Sequence, residues 1–205
     1  MIAIIDYGIG NLASITNALN KLNIKSIITD DVDEMKKASG LILPGVGAAG
    51  EGMKNIKERK LDKVLIETVK RGKPFLGICL GMQLLFEKSE EGQVECLGVL
   101  KGMVKKFRKE RKVPQIGWNQ IKYQKQKMNT LQLFSGIPND SYFYFVNSYY
   151  CIPEDSSIIA AKTIYGEDFA SVVVQKNIVA TQFHPEKSGK AGFNLLGNFA
   201  RNLLC

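Results

Sequence analysis

The sequence predicts an α/β fold: an open mixed sheet, mostly parallel, flanked by helices, in one domain over residues 1–205. Three observations carry that expectation. The first half alternates short apolar runs with amphipathic stretches, as repeated strand–helix units do. Those runs are apolar at consecutive positions, as strands covered on both faces require. The second half changes to strand-like segments with short connections, the pattern of antiparallel hairpins. A length of 205 residues suits one core, because single cores stop growing at roughly 250–300 residues.

The elements follow in order. Ile2–Ile5 reads as the first strand, and Asn11–Leu22 as a helix with Leu12, Ile15, Ala18, Leu19 and Leu22 on one face. Ser26–Thr29 is a second strand, with a short helix after it at Asp33–Ala38. Leu41–Leu43 is a third, closed by Pro44-Gly45; a helix covers Leu61–Arg71, Pro74–Ile78 is a fourth strand, and Gly81–Lys88 a helix. Then Leu97–Phe107, Gln115–Tyr123, Tyr142–Tyr150, Ile158–Tyr165, Ala170–Gln175 and Ile178–Phe183 read as strands. Ala191–Leu204 closes the chain as a helix, with Phe193, Leu195, Leu196, Phe199, Leu203 and Leu204 as its core face. No Pro/Gly/Ser-rich linker, repeat or low-complexity tract divides the chain.

Composition narrows the function classes. Hydrophobic residues make up 45% and charged residues 23%, a globular balance rather than a disordered one. The chain opens as a strand, without the basic and cleavable parts of a signal peptide. Its longest mostly apolar stretch, Phe75–Phe86, falls short of the roughly 20 residues a membrane span needs. Cys79, Cys96, Cys151 and Cys205 show no zinc-site spacing, and read as reduced thiols of a cytoplasmic protein. A single histidine, His184, excludes a three-histidine metal site within this chain. No metal and no cofactor are expected.

The net charge of +8 is concentrated. Residues 101–127 hold Lys101, Lys105, Lys106, Arg108, Lys109, Arg111, Lys112, Lys122, Lys125 and Lys127 against the acid Glu110, and the rest of the chain is nearly neutral. Such a block suits a polyanion or a solvated hairpin surface. Its rings are only Phe107, Trp118 and Tyr123, too sparse for a single-strand stacking platform. No nucleic-acid partner is expected.

Gly8-Ile9-Gly10-Asn11-Leu12-Ala13 matches the dinucleotide fingerprint formally, with Asp30 and Asp31 following the second strand. It offers one alternative, a nucleotide-binding protein. The other is a tight strand–helix turn that needs glycine.

Gly77-Ile78-Cys79-Leu80-Gly81 lies between an apolar strand and a helical run. This is the layout of a nucleophile elbow, in which flanking glycines let a strained turn lift a nucleophile into the site. The helix N-terminus behind Cys79 favours negative charge there, and the Leu80 N–H is placed to meet an oxyanion. A buried structural cysteine is the plainer alternative. His184-Pro185-Glu186 follows a strand. Positions i and i+2 of extended chain share a side, so Glu186 can hold one nitrogen of His184 and leave the other to take a thiol proton. Pro44-Gly45-Val46-Gly47 ends the third strand, at the edge where open α/β sheets place ligands.

With these motifs in hand, the chain resembles the class I, triad-type glutamine amidotransferases along its whole length, and within them the glutaminase subunits of imidazole glycerol phosphate synthases. Asp6–Asn11, Pro44–Gly47, Gly77–Gln83, Gly117-Trp118-Asn119, Tyr144–Tyr150 and Gln182–Gly189 carry the resemblance. It implies a flavodoxin-like fold and hydrolysis of L-glutamine through a Cys79 thioester, with His184 as base and Glu186 orienting it. It implies that Gly45, Val46, Gly47, Leu80, Gln83, Ser148 and Tyr149 form the oxyanion and glutamine site, without a cofactor. It further implies a (β/α)8-barrel synthase subunit as partner, taking the ammonia to make imidazole glycerol phosphate and aminoimidazole carboxamide ribotide, and met by Tyr7, Gly10, Asn11, Trp118 and Tyr144. The Pro44–Gly47 segment would reorient when the partner binds its substrate, so the lone chain would be weakly active. A paralogous synthase that aminates a sugar is the alternative partner. Asn147 stands where many members carry histidine, outside the triad.

Overall fold

A computed structural model describes residues 1–108, 112–124 and 128–202. Parallel strands β1 (Ile2–Ile5), β2 (Ser26–Thr29), β3 (Gly40–Leu43) and β4 (Phe75–Ile78) alternate with helices α1 (Leu12–Lys21), α2 (Val32–Lys37), α3 (Ala49–Glu58) and α4 (Leu61–Lys70). Both faces of the sheet are covered, and the residues divide accordingly. Ile2 and Ile4 of β1 join Ile15 and Leu19 of α1 in one apolar cluster. Ala3 and Ile5 join Met35, Met53 and Leu65, from α2, α3 and α4, in the other. This is why the strand is apolar at every position.

The short helix α5 (Leu80–Gln83) leads to β5 (Lys88–Ser89), β6 (Val94–Glu95) and β7 (Gly102–Lys106). Next come β8 (Gln115–Gln120), β9 (Lys122–Tyr123), α6 (Met128–Leu133), β10 (Tyr142–Asn147) and β11 (Tyr149–Pro153). The chain continues through β12 (Ile159–Tyr165), β13 (Glu167–Gln175), β14 (Ile178–Thr181) and α7 (Gly189–Asn202). The main sheet runs β2-β1-β3-β4-β14-β13-β11-β7-β5-β6, with β12 on β13 and β9 on β12, while β8 and β10 pair apart from it. Strands β2, β1, β3, β4 and β14 are mutually parallel. From β14 onward the sheet turns antiparallel through β13 and β11. Thus β14 joins the two halves.

The structure departs from the sequence reading in several elements. The helix expected over Gly81–Lys88 stops at Gln83. The carbonyls of Leu84, Leu85 and Phe86 accept amides from Leu97, Gly98, Val99 and Leu100 instead of continuing a helix. Those same bonds withdraw residues 97–100 from the strand expected over Leu97–Phe107. Helix α3 was not foreseen: Gly50 and Gly52 dilute its pattern, and glycine is a poor helix former. Gly52 is there for contact, since a β-carbon on it would lie 3.1 Å from the Leu84 side chain. The segment Tyr142–Tyr150 is two strands in two sheets, broken at Ser148. The closing helix is as expected up to Asn202, and Leu203, Leu204 and Cys205 lie outside the described residues.

Candidate active site

Three connections leave the carboxyl ends of β3, β4 and β14 and meet at one cleft. Cys79 follows β4 with φ 54° and ψ −107°, a left-handed-side conformation that costs a non-glycine residue on the order of 1–3 kcal/mol. Close packing holds it there. A side chain on Gly81 would run into the carbonyl oxygen of Leu43, and one on Gly77 would sit 2.9 Å from the carbonyl oxygen of Gly81. The Cys79 N–H donates to Thr181 O at 2.7 Å, extending the β4–β14 ladder to the nucleophile candidate.

His184 lies just beyond β14. Phe183 turns the other way, its ring centroid 4.1 Å from Phe143 and 5.6 Å from Phe145, and so anchors the segment. His184 Nδ1 is 2.9 Å from Glu186 Oε1, with side chains only 3% and 1% exposed. Glu186 Oε2 is buried without a hydrogen-bond partner, so the carboxylate acts on the ring through one oxygen. Burial alone drives the imidazole towards its neutral form. The charge of Cys79 and a hydrogen bond with it, then the Glu186 hydrogen bond and charge, overcome this and push the His184 pKa up to about 10. A buried imidazole between the Cys79 sulfur and the Glu186 carboxylate is the arrangement for moving one proton between a thiol and a leaving group.

The Cys79 sulfur has two further neighbours. Its S–H donates to Val146 O at 3.7 Å, and Gln182 Nε2 donates to Sγ at 3.7 Å. The cleft, about 260 Å³, is lined by Val46, Gly47, Cys79, Leu80, Gln83 and His184, with Ser148 and Tyr149 opposite. Gly45 lies behind this wall: a β-carbon there would come 2.6 Å from the Tyr7 hydroxyl and 2.7 Å from Leu80 Cβ. It lets the segment approach α5 closely.

Two other cleft residues carry no sequence signal of their own. Glu91 and Lys187 line it too, bringing opposite charges to one pocket. Glu91 also accepts the Ala49 N–H at 2.8 Å, closing the start of α3. No local motif marks Glu91, because a 3-10 turn brings it in from the far side of the unforeseen α3. Asn147 is buried, and its Nδ2 donates to Tyr149 O at 3.0 Å, bracing the cleft wall.

One site expectation is corrected. Tyr7 is fully buried and donates its hydroxyl to Pro44 O at 2.6 Å. It therefore supports the Pro44–Gly47 segment from within and cannot present a surface to a partner. Asn11 is exposed and Gly10 half-buried. Gly8 and Gly10 take φ 82° and 128°, the turn reading of the glycine pair. The Asn11 side chain accepts the Ser14 N–H at the start of α1. Trp118 and Tyr144 are opposed across β8 and β10, with centroids 6.0 Å apart and edge to face. In the basic segment, Lys101 pairs with Glu87 at 2.6 Å and Arg108 with Glu90 at 3.0 Å. Lys109, Glu110, Arg111, Lys125 and Lys127 lie outside the described residues.

The glutamine amidotransferase class-I family model matches residues 3–203. The chain belongs to that family. Several relatives of this amidotransferase are named imidazole glycerol phosphate synthase subunit HisH. The protein so named from Dehalococcoides mccartyi is 49% identical over 205 residues, covering 100% of this chain and 98% of that one. The one from Methanocaldococcus jannaschii is 48% identical, covering 99% and 100%, and the one from Aquifex aeolicus 46%, covering 97% and 95%. Among solved structures, a crystal structure of a glutamine amidotransferase superposes with a TM-score of 0.78 at 18% identity, with both chains fully covered. That likeness bears on the fold. This amidotransferase has, among its described residues, no helix long and apolar enough to cross a membrane.

Proposed function

We propose that the chain is the glutaminase subunit of an imidazole glycerol phosphate synthase. It would hydrolyse L-glutamine and hand the ammonia to a (β/α)8-barrel synthase subunit in histidine biosynthesis. The observation that carries this reading is the buried line Cys79–His184–Glu186 at the carboxyl ends of two adjacent parallel strands.

The mechanism follows from the geometry. His184 takes the thiol proton of Cys79, Sγ attacks the side-chain amide carbon of glutamine, and the new S–C bond drives the carbonyl electrons onto oxygen. The Leu80 N–H and an amide of the Pro44–Gly47 segment meet that oxyanion. The intermediate collapses, the C–N bond breaks, and His184 gives its proton to the leaving nitrogen, releasing ammonia. Water then attacks the thioester with His184 as base; glutamate leaves and the thiol is restored. Glu91 suits the α-ammonium of glutamine and Lys187 its α-carboxylate, while Gln83 and the backbone at Ser148 and Tyr149 hold the rest.

The β8–β10 sheet supports a docking role. Ile116, Trp118 and Tyr142 are 63%, 56% and 55% exposed, and Tyr144 and Val146 share their face by register. Exposed aromatic groups of this kind anchor protein interfaces. Trp118 and Tyr144 would meet the barrel, together with Gly10 and Asn11. A mechanism that starts from a free Cys79 thiol fits the reducing cytoplasm. The test is glutamate release by the chain purified with a cognate barrel subunit, with product analysis for imidazole glycerol phosphate. Undiminished hydrolysis by Cys79→Ala would overturn the proposal.

A further inference from the structure

Gln182 takes no part in the mechanism above, yet it touches the reacting sulfur. Its side chain is completely buried, two residues before His184 and on the same side of the extended chain. The polarity of its amide is settled by connectivity. Tyr149 O is a main-chain carbonyl and can only accept, and Gln83 Nε2 donates to it at 3.1 Å. The second hydrogen of that NH2 group goes to Gln182 Oε1, also at 3.1 Å. With its oxygen committed, Gln182 must present its own NH2 group to Cys79 Sγ, 3.7 Å away. Reversing Gln83 would set acceptor against acceptor and reversing Gln182 would set donor against donor in a buried site, and either costs more than one hydrogen bond is worth. The chain Tyr149 O, Gln83, Gln182, Cys79 thus runs one way, from a fixed acceptor to a donor aimed at sulfur.

We propose that Gln182 is a further catalytic residue of this site, a neutral hydrogen-bond donor that stabilises the Cys79 thiolate and is held in that sense by Gln83 and Tyr149. The inference rests on the reading of Cys79 as the nucleophile. Gln182 gives up no proton: the sulfur pair forms the S–C bond, the C–N bond breaks, and the proton on the departing ammonia comes from His184. The arrangement also frees Gln83 Oε1 to accept from the substrate.

Two variants separate this role from simple packing. Gln182→Met keeps the length and removes the donor; Gln182→Glu keeps the shape and points a charged acceptor at sulfur. The first readout is alkylation of Cys79 by iodoacetamide at neutral pH on the purified chain, with Cys79→Ala as the blank for the other thiols. The second is kcat and KM for glutamine in the complex with the barrel subunit. For Gln182→Met, alkylation and kcat should both fall about tenfold, the size expected for a lost donor to an ionised group. KM should stay within about twofold, since Gln83 keeps its bond to Tyr149 O. Gln182→Glu should fall further, about a hundredfold, by like-charge repulsion in a buried site. Wild-type alkylation in either folded variant, judged by its melting curve, overturns the proposal. Alkylation does not involve glutamine, so a complex that releases no glutamate would refute the glutaminase reading while leaving this comparison decisive on its own.

Discussion

The carbonyl of Tyr144 accepts the His184 N–H at 2.9 Å. The Tyr144 N–H donates to Ser188 Oγ at 3.0 Å, and Ser188 Oγ donates back to His184 O at 2.6 Å. The candidate base therefore hangs from β10, the strand that carries the exposed aromatic face. Two residues along, Val146 O accepts from the Cys79 thiol. One strand thus touches both base and nucleophile with its backbone while its alternate side chains, Tyr142, Tyr144 and Val146, lie on the sheet's other, more exposed face.

Trp118→Ala tests that surface. An aromatic anchor of an interface is worth on the order of 2 kcal/mol, so affinity for the barrel subunit should weaken about thirtyfold. Its exposed position in this chain leaves the melting temperature unchanged. Titration calorimetry with the barrel subunit and a melting curve of the chain alone check the two statements together.

His184 is the one histidine of the chain, so its ring signals in a nuclear magnetic resonance titration need no assignment. Its pKa is raised from 6.5 to about 10, so the ring should remain protonated through the neutral range and lose its proton near pH 10. The stabilisation linked to that proton is fully present below pH 6.5 and is lost as the pH rises through about 10. In Cys79→Ala the raising charge and hydrogen bond of the sulfur are gone while burial still opposes the cation. The midpoint should then move down, and an unmoved midpoint would refute the assigned cause.

Ser188→Ala should cost about 1–2 kcal/mol in a urea melt, because it leaves a buried amide and a buried carbonyl each short of a partner. It should also lower kcat more than it changes the KM for glutamine, since the hydroxyl places His184 and faces no ligand.

Glu91→Gln keeps an oxygen for the Ala49 N–H and removes the charge facing the cleft. Loss of a charged partner for the substrate ammonium should raise the KM for glutamine about tenfold with kcat nearly unchanged. Steady-state kinetics at saturating barrel subunit decide it. A fall in kcat alone would place Glu91 in the chemistry instead.

What could be read in advance were features whose cause is local. The strands of the parallel half, the elbow around Cys79 and the His184-Pro185-Glu186 segment each carry their reason within a few residues. What escaped depends on chain far away in sequence. The Gly81–Lys88 helix ends early because amides from residues 97–100 capture its carbonyls. Helix α3 hides behind glycines whose use, contact with Leu84, appears only in three dimensions. Tyr7 sits in a surface-like turn motif, yet its ring fills the space under Pro44. Glu91 and Gln182 became visible only once distant strands had brought them to the cleft, although Gln182 stood within a motif already noticed.

The position of β14 has a consequence for how the protein comes into being. Strand β4, which delivers Cys79, finds its neighbour a hundred residues later, when Ile178–Thr181 pairs alongside it. Contacts that far apart in sequence form late, because loop closure must come first. A chain still emerging from the ribosome therefore holds its thiol without a base until the last strand is inserted. Glutamine hydrolysis should switch on only in the finished molecule, and fragments ending before β14 should be inert towards it.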